Sequence, residues 1–248
     1  MKKTALFIII ILVISCKKEG DIPTYNDKYI IELDQNNVIY KVQHFKGVIF
    51  DFVQDYTYAN EYVRVTKHNK LNSLMSINQY YLTNGLADSC VDSTFTGGQV
   101  KSVSIDLYEY NQGYRIKEKH FYSNNQGIVD FSNPILIENV YADGNLIQFI
   151  VMDQCTGNYY FSEQPSKINI SSFQGDYMGK QNANLYVQYS PGGCPSGPST
   201  VFPDVRYSYT LNSEGYVTKR VKNTTNAHHS SEEGTKERTI TQFEYVFR

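Results

Sequence analysis

The sequence predicts an all-β protein: an antiparallel up-and-down meander that forms a curved sheet or closes into a barrel, with little helix outside the first fifteen residues. Three observations carry this. The 248 residues include 22 Tyr and 13 Phe but no Trp, and Tyr with Val, Ile and Thr is what a half-buried pleated face selects. Apolar and polar residues alternate in Val103-Ser104-Ile105-Asp106-Leu107, a period of two that buries one face of a strand. An aromatic stretch, a polar turn and a glycine also recur, in Tyr80-Tyr81-Leu82-Thr83-Asn84-Gly85, Tyr108-Glu109-Tyr110-Asn111-Gln112-Gly113, Tyr141-Ala142-Asp143-Gly144 and Tyr207-Ser208-Tyr209-Thr210-Leu211-Asn212-Ser213-Glu214-Gly215.

In chain order, the first element is an address. Lys2 and Lys3 precede an apolar run from Ala5 to Ile14 that ends at Ser15-Cys16, the layout of a bacterial secretory signal and too short for a spanning helix. Leu12-Val13-Ile14-Ser15-Cys16 resembles the lipobox of bacterial lipoproteins, whose signal is cut before a diacylated cysteine. The resemblance implies residues 1–15 as signal peptide, Cys16 as a lipidated first mature residue, and a membrane partner reached through that lipid. A plain signal peptide or a short membrane anchor is the alternative on pattern grounds. Lys17-Lys18-Glu19-Gly20-Asp21 carries no retention residue directly after Cys16, which resembles lipoproteins passed to the outer membrane. The periplasmic and external faces stay open.

Residues 16–28 read as a lipidated N-terminus and polar tether, and residues 29–248 as one β domain, since all-β units commonly reach ~200–250 residues. Within that domain the turn glycines have a physical reason: tight hairpins need positive φ, which glycine enters without steric penalty. Gly85, Gly113 and Gly144 are 28 and 31 residues apart, but Gly215 follows only after 71. One copy of the repeat is therefore expected to be interrupted, and Ser190-Pro191-Gly192-Gly193-Cys194-Pro195-Ser196-Gly197-Pro198-Ser199 is the obvious long loop. Leu146-Ile147-Gln148-Phe149-Ile150-Val151 reads as a strand covered on both sides. Thr241-Gln242-Phe243-Glu244-Tyr245-Val246-Phe247-Arg248 alternates cleanly, a last strand able to close a barrel and remove the sheet edges.

The lipobox, the length and the Tyr-x-Tyr, polar turn, Gly arrangement together resemble a group of Bacteroidetes lipoproteins classed as a domain of unknown function with a porin-like fold (the DUF4595 type). The resemblance runs from about Leu74 to Arg248. It implies a porin-like but soluble barrel, and it brings no reaction and no catalytic residues.

Composition excludes some partners. Removing Lys2 and Lys3 with the signal takes the formal charge from −2 to −4, without a basic block, so nucleic acid is not an expected partner. Cys16 being lipidated, Cys90, Cys155 and Cys194 allow one disulfide at most. Cys155 with Cys194 is the expected pair because both lie beside turn glycines, and three buried thiols is the alternative that spacing leaves open. None has CxxC spacing, so no metal or redox site and no cofactor is indicated.

No HExxH, GxSxG, phosphate-loop or EF-hand pattern occurs, so no catalytic residue is assigned. His228-His229-Ser230-Ser231-Glu232-Glu233-Gly234 is the densest set of metal-ligand types, and reads as a polar hairpin loop. Cys194 beside His120 or His44 would be a nucleophile, against the blander reading of a buried or disulfide-bonded cysteine. Asp92-Ser93-Thr94 resembles a short O-glycosylation site of Bacteroidetes secreted proteins. Rows of Tyr would suit a small apolar or glycan ligand, against the simpler reading of cross-strand pairs that stabilise the sheet.

The sequence therefore points to a non-enzymatic, lipid-anchored binding or interaction module of the outer membrane, with a small ligand or an envelope protein as partner. Two alternatives are a hydrolase-like envelope enzyme with a dispersed site and a structural or transmembrane outer-membrane barrel.

Overall fold

A computed structural model of the chain describes residues 24–124, 127–152, 155–168, 170, 172–193, 203–225 and 236–248. They form fifteen strands: β1 (Thr24–Leu33), β2 (Ile39–Lys46), β3 (Ile49–Tyr58), β4 (Tyr62–Asn69), β5 (Leu74–Thr83), β6 (Leu86–Thr96), β7 (Gln99–Asn111), β8 (Tyr114–Tyr122), β9 (Ile135–Ala142), β10 (Asn145–Val151), β11 (Cys155–Pro165), β12 (Asn184–Gly193), β13 (Asp204–Leu211), β14 (Val217–Thr225) and β15 (Lys236–Phe247). Each pairs with its sequence neighbours, and β1 pairs with β15, so the meander closes into a barrel without edges.

The expected antiparallel meander is thus present with one difference. In a meander all odd-numbered strands run the same way, so the first and fifteenth can only meet in parallel, as they do from Thr24↔Arg238 to Leu33↔Phe247. A clasp completes this seam: Arg248 donates its amide to the Leu33 carbonyl at 2.9 Å and its guanidinium pairs with Glu32.

The repeat glycines sit where the sequence places them. Asn84-Gly85, Gln112-Gly113 and Asp143-Gly144 all hold positive φ at both positions, the two-residue turn whose twist matches that of the flanking strands. The interruption falls in the expected interval between Gly144 and Gly215; of the expected loop, Ser190 to Gly193 are the end of β12 and residues 194–199 lie outside the described residues. The connection from β11 to β12, residues 166–183, replaces a tight hairpin with a segment that folds into the barrel end and includes a 3₁₀ turn at Asp176–Met178. Its Ile170, Phe173, Tyr177 and Met178 are buried in one cluster with Ile31, Leu33, Val42, Tyr56, Val63, Tyr80 and Cys90 of the wall. This segment is a plug.

Two further expectations are corrected. Thr24 to Lys28, assigned to the tether, are the first half of β1: Asp27 lies beside His44 of neighbouring β2 on the inner face and Lys28 pairs with Glu244 at 2.7 Å. Polar residues can face both ways here because the barrel interior is itself partly polar. β10 is not covered on both sides, since a bulge between Leu146 and Gln148 leaves Ile147 exposed.

The plug divides the barrel into two unlike ends. The β1–β2, β3–β4, β5–β6, β7–β8, β9–β10 and β13–β14 turns surround the plug, and apart from half-buried Val38 and buried Tyr216 they are built from Asp, Asn, Gln, Glu, Ser, Ala and Gly. The other connections, and the start of β1, lie at the opposite end, called here the mouth.

Candidate functional site: the plugged interior

Strand alternation fixes what lines the interior. Because Ile31, Val42, Tyr56, Val65, Tyr80 and Cys90 are core residues, their neighbours two positions along each strand also point inward. Towards the mouth those positions become polar: Asp27, His44, Lys67, Asp92, Asp106 and His120. Inward-facing Tyr122, next in line on β8, is 57% exposed, so solvent reaches the inner wall there.

One stretch of wall is ionic. His120 Nδ1 lies 2.6 Å from Asp106 Oδ1, and its Nε2 lies 3.7 Å from Glu118. Glu118 in turn accepts from Asn139 Nδ2 at 2.8 Å and pairs with Arg115 at 3.2 Å. The hydrogen bond to Asp106 raises the His120 pKa, outweighing burial, which acts the other way. Burial raises the Asp92 carboxyl, and it pushes the neighbouring Cys90 thiol up to about 12, with Asp106 and Asp92 adding to the effect. A thiol so far from ionising is a packing residue and not a nucleophile.

A second polar wall centres on buried His44, whose Nδ1 is 3.0 Å from Asp51 and whose Nε2 is 3.5 Å from Asp27. Its ring lies between those of Tyr29 and Phe52, at 4.6 and 4.8 Å. Burial acts against the Asp51 carboxylate, but hydrogen bonds from Lys46 and His44 prevail and hold its pKa below the ordinary value. The third wall, on β10 to β13, is aromatic. Tyr159 touches Phe149, Tyr186 and Tyr189, and Tyr186 touches Tyr207, with ring centroids 4.8–5.9 Å apart, within the range of favourable aromatic pairs.

The plug is docked by backbone as well as by rings. Lys180 donates its amide to the Gly113 carbonyl at 2.7 Å, and Ala183 to Gly144 at 3.0 Å. Tyr56 Oη donates to the Phe173 carbonyl at 3.1 Å, and Tyr177 packs on Tyr80 with centroids 5.0 Å apart. Burial raises the pKa of Tyr56, Tyr80 and Tyr177, so all three stay neutral hydroxyls.

Cavities remain on both flanks of this plug. Of the two more enclosed ones, the larger, about 300 Å³, opens at the plugged end, with Ile39, Val63, Leu82 and Ile168 among its apolar lining. Tyr58 and Tyr177 add aromatic rings, and Asn36, Asn37, Gln174, Gln181, Lys167 and Asp176 converge on it as polar groups. The smaller, about 160 Å³, lies against the tyrosine wall at Tyr159, Tyr186 and Tyr209. A mostly apolar recess with a few converging amides is the usual form of a small-molecule site.

The sequence-derived candidates fare unevenly. Cys155 is disulfide-bonded and Cys90 is free and buried. Cys16, Cys194 and the His228–Gly234 cluster lie outside the described residues, so neither the lipid site nor the Cys155–Cys194 pairing is addressed. His44 and His120 are each occupied by aspartates. Asp92-Ser93-Thr94 lies inside β6, where Thr94 shares a hydrogen bond with Ser102. Among the described residues no group of three His, Cys, Asp or Glu is placed to hold a metal. The pocket residues Lys167, Gln174 and Asp176 were missed, and the interrupted repeat was the signal that could have drawn attention to them.

Fold and interior together define a closed, plugged β-barrel of porin-like form. A crystal structure of a porin-like protein from Bacteroides uniformis is similar to it, with a TM-score of 0.52 and 16% sequence identity, over 84% of this chain and 87% of that one. At that identity the likeness shows the fold: the barrel that the glycine hairpins predict, in the porin-like form that the resemblance implied. Neither a protein-family model nor a curated protein sequence matches the chain.

Proposed function

We propose that this protein is a lipid-anchored barrel of the outer membrane that binds a small ligand beside its plug, acting as a binding module and not as a conducting pore or an enzyme. The observation that carries the reading is the plug itself. A pore needs two open ends, whereas here residues 166–183 fill one end and leave a recess of about 300 Å³ with an apolar floor and an amide rim. Tyrosine rings beside Asn and Gln side chains suit the face of a sugar or another ligand with one apolar side.

The outer wall supports a tethered barrel over a spanning one. Membrane barrels present an outward apolar band ≈ 25 Å tall, but Lys28–Glu244, Lys41–Asp55, Lys117–Glu138 and Lys119–Glu109 place ion pairs along the outside of the strands. The lipobox at Cys16 supplies the tether, and radioactive fatty acid fed to the native host tests it: label is expected in the wild type and lost in Cys16→Ala, and equal label would refute the anchor.

The pocket is tested by calorimetric titration with glucose and N-acetylglucosamine oligomers, and with an anilinonaphthalene sulfonate dye as the apolar probe. Heat or fluorescence change is expected from one class and is expected to fall in Lys167→Ala and Asp176→Asn, whose side chains are exposed. A response that is the same in both variants would remove the pocket as the site.

A further inference from the structure

The mouth of the barrel carries an apolar rim, and the geometry points to the surface of a lipid bilayer as what it rests on. Five successive connections at that end each raise a large apolar side chain into solvent. Val48, between β2 and β3, is 96% exposed, and Leu71, between β4 and β5, is 76% exposed. Val100 at the start of β7 is 56% exposed, Ile128 and Phe131 between β8 and β9 are 62% and 61%, and Met152 after β10 is 49%. Among the described residues, every large aliphatic side chain more than half exposed lies at this end. The two-residue turns at the plugged end, Asn84-Gly85, Gln112-Gly113 and Asp143-Gly144, offer only polar groups and glycine.

Exposed apolar tips need an occupant, and the start of the chain says which. β1 begins at this same end: the Gly47 amide, next to Val48, donates to the Asn26 carbonyl at 2.8 Å. The eight residues from Cys16 to Pro23 span at most about 28 Å when fully extended. A lipid on Cys16 therefore holds the rim, and not the pocket, against the membrane; this step rests on the lipid anchor proposed above. Lys70 and Lys101, exposed and adjacent to Leu71 and Val100, match the arrangement in which an apolar side chain enters the interface while a lysine keeps its ammonium at headgroup level. The barrel stands mouth down on the bilayer, its plugged end and pocket facing away.

The chain contains no Trp, so a single introduced Trp reports its own depth. Val48→Trp, Leu71→Trp and Val100→Trp, with Ser213→Trp at the plugged end as control, are prepared as acylated full-length protein in phosphatidylethanolamine–phosphatidylglycerol vesicles, with and without dibrominated acyl chains. Flotation reports the anchor; emission reports the rim. The proposal expects flotation, a blue shift and bromine quenching at the three mouth positions, and neither shift nor quenching for Ser213→Trp. Flotation with all four positions unquenched would overturn the rim while leaving the anchor intact. Failure to float would overturn the anchor and the rim with it. A blue shift of Val48→Trp in lipid-free Cys16→Ala protein without vesicles, together with a doubled mass in solution, would assign the rim to a second copy of the chain and also overturn the proposal.

Discussion

Substituting Gly179 by alanine separates the docking of the plug from the stability of the barrel. Gly179 has φ +87° and ψ −173°, a region open to glycine almost alone and worth of order 1–3 kcal/mol of strain to any other residue. A Cβ there would also lie 2.6 Å from the Gly113 carbonyl oxygen and 2.8 Å from the Tyr110 ring, and overpacking of this kind typically adds about 1–3 kcal/mol. The total is about 2–6 kcal/mol. Gly85→Ala is the control: its φ is +80° but nothing lies within 4 Å of a new Cβ, so it carries only the left-handed penalty of about 1–2 kcal/mol. Relief for Gly179→Ala comes most readily from unseating the plug, which is one loop, and not from opening the closed sheet. Hydrogen exchange reads this directly. Protection of the Met178 and Lys180 amides, bonded to Gly175 and Gly113, is expected to fall at least about 30-fold, the equivalent of ~2 kcal/mol. Amides of β5 and β6 should keep theirs. Unchanged protection at Lys180, or an equal loss in Gly85→Ala, would refute the account of how the plug is held.

Other consequences can be measured on the same protein. His120 has a raised pKa because Asp106 favours its charged form, so its contribution to stability is full below the unfolded value of ~6.5 and disappears as pH rises through the higher folded value. Denaturation midpoints should therefore fall across that window in the wild type and lose this component in His120→Gln. Cys155→Ser should destabilise the barrel by about 2–4 kcal/mol, seen by urea unfolding, and non-reducing peptide mapping should recover Cys155 joined to Cys194. Cys90, buried with its thiol raised to about 12, should resist iodoacetamide at pH 8 in the folded state and react only in denaturant.

The sequence makes the barrel legible through its glycines and alternating strands, because positive φ and a period of two are local requirements that leave local traces. The plug leaves no such period, and its left-handed Gly179 is not set between strand patterns that would mark it. Ile168, Ile170, Phe173, Tyr177 and Met178 follow no strand or helix period, since a segment that packs as a stopper is shaped by the walls around it. Its existence shows only as the gap between Gly144 and Gly215, and the proline- and glycine-rich stretch at 190–199 draws the eye away from it. The ionic pairs of the interior are illegible for another reason. His120 meets Asp106, and His44 meets Asp51 and Asp27, through strand register, which no single strand encodes. The same blindness hides the start of β1, where Asp27 and Lys28 look like tether until His44 and Glu244 are beside them.

The parallel seam between β1 and β15 has a consequence for how the chain is made. Thr24 and Arg238 are neighbours in space yet about 200 residues apart in sequence, so β1 has a single strand partner until β15 has been synthesised. Every other strand can pair with its successor as the chain emerges. Closure of the sheet then waits for β15, and a protein cut short before β15 would present two open edges, on β1 and β14, as templates for its own aggregation. The Arg248 clasp on Leu33 and Glu32 lies where the arrival of β15 turns an adhesive intermediate into a closed barrel.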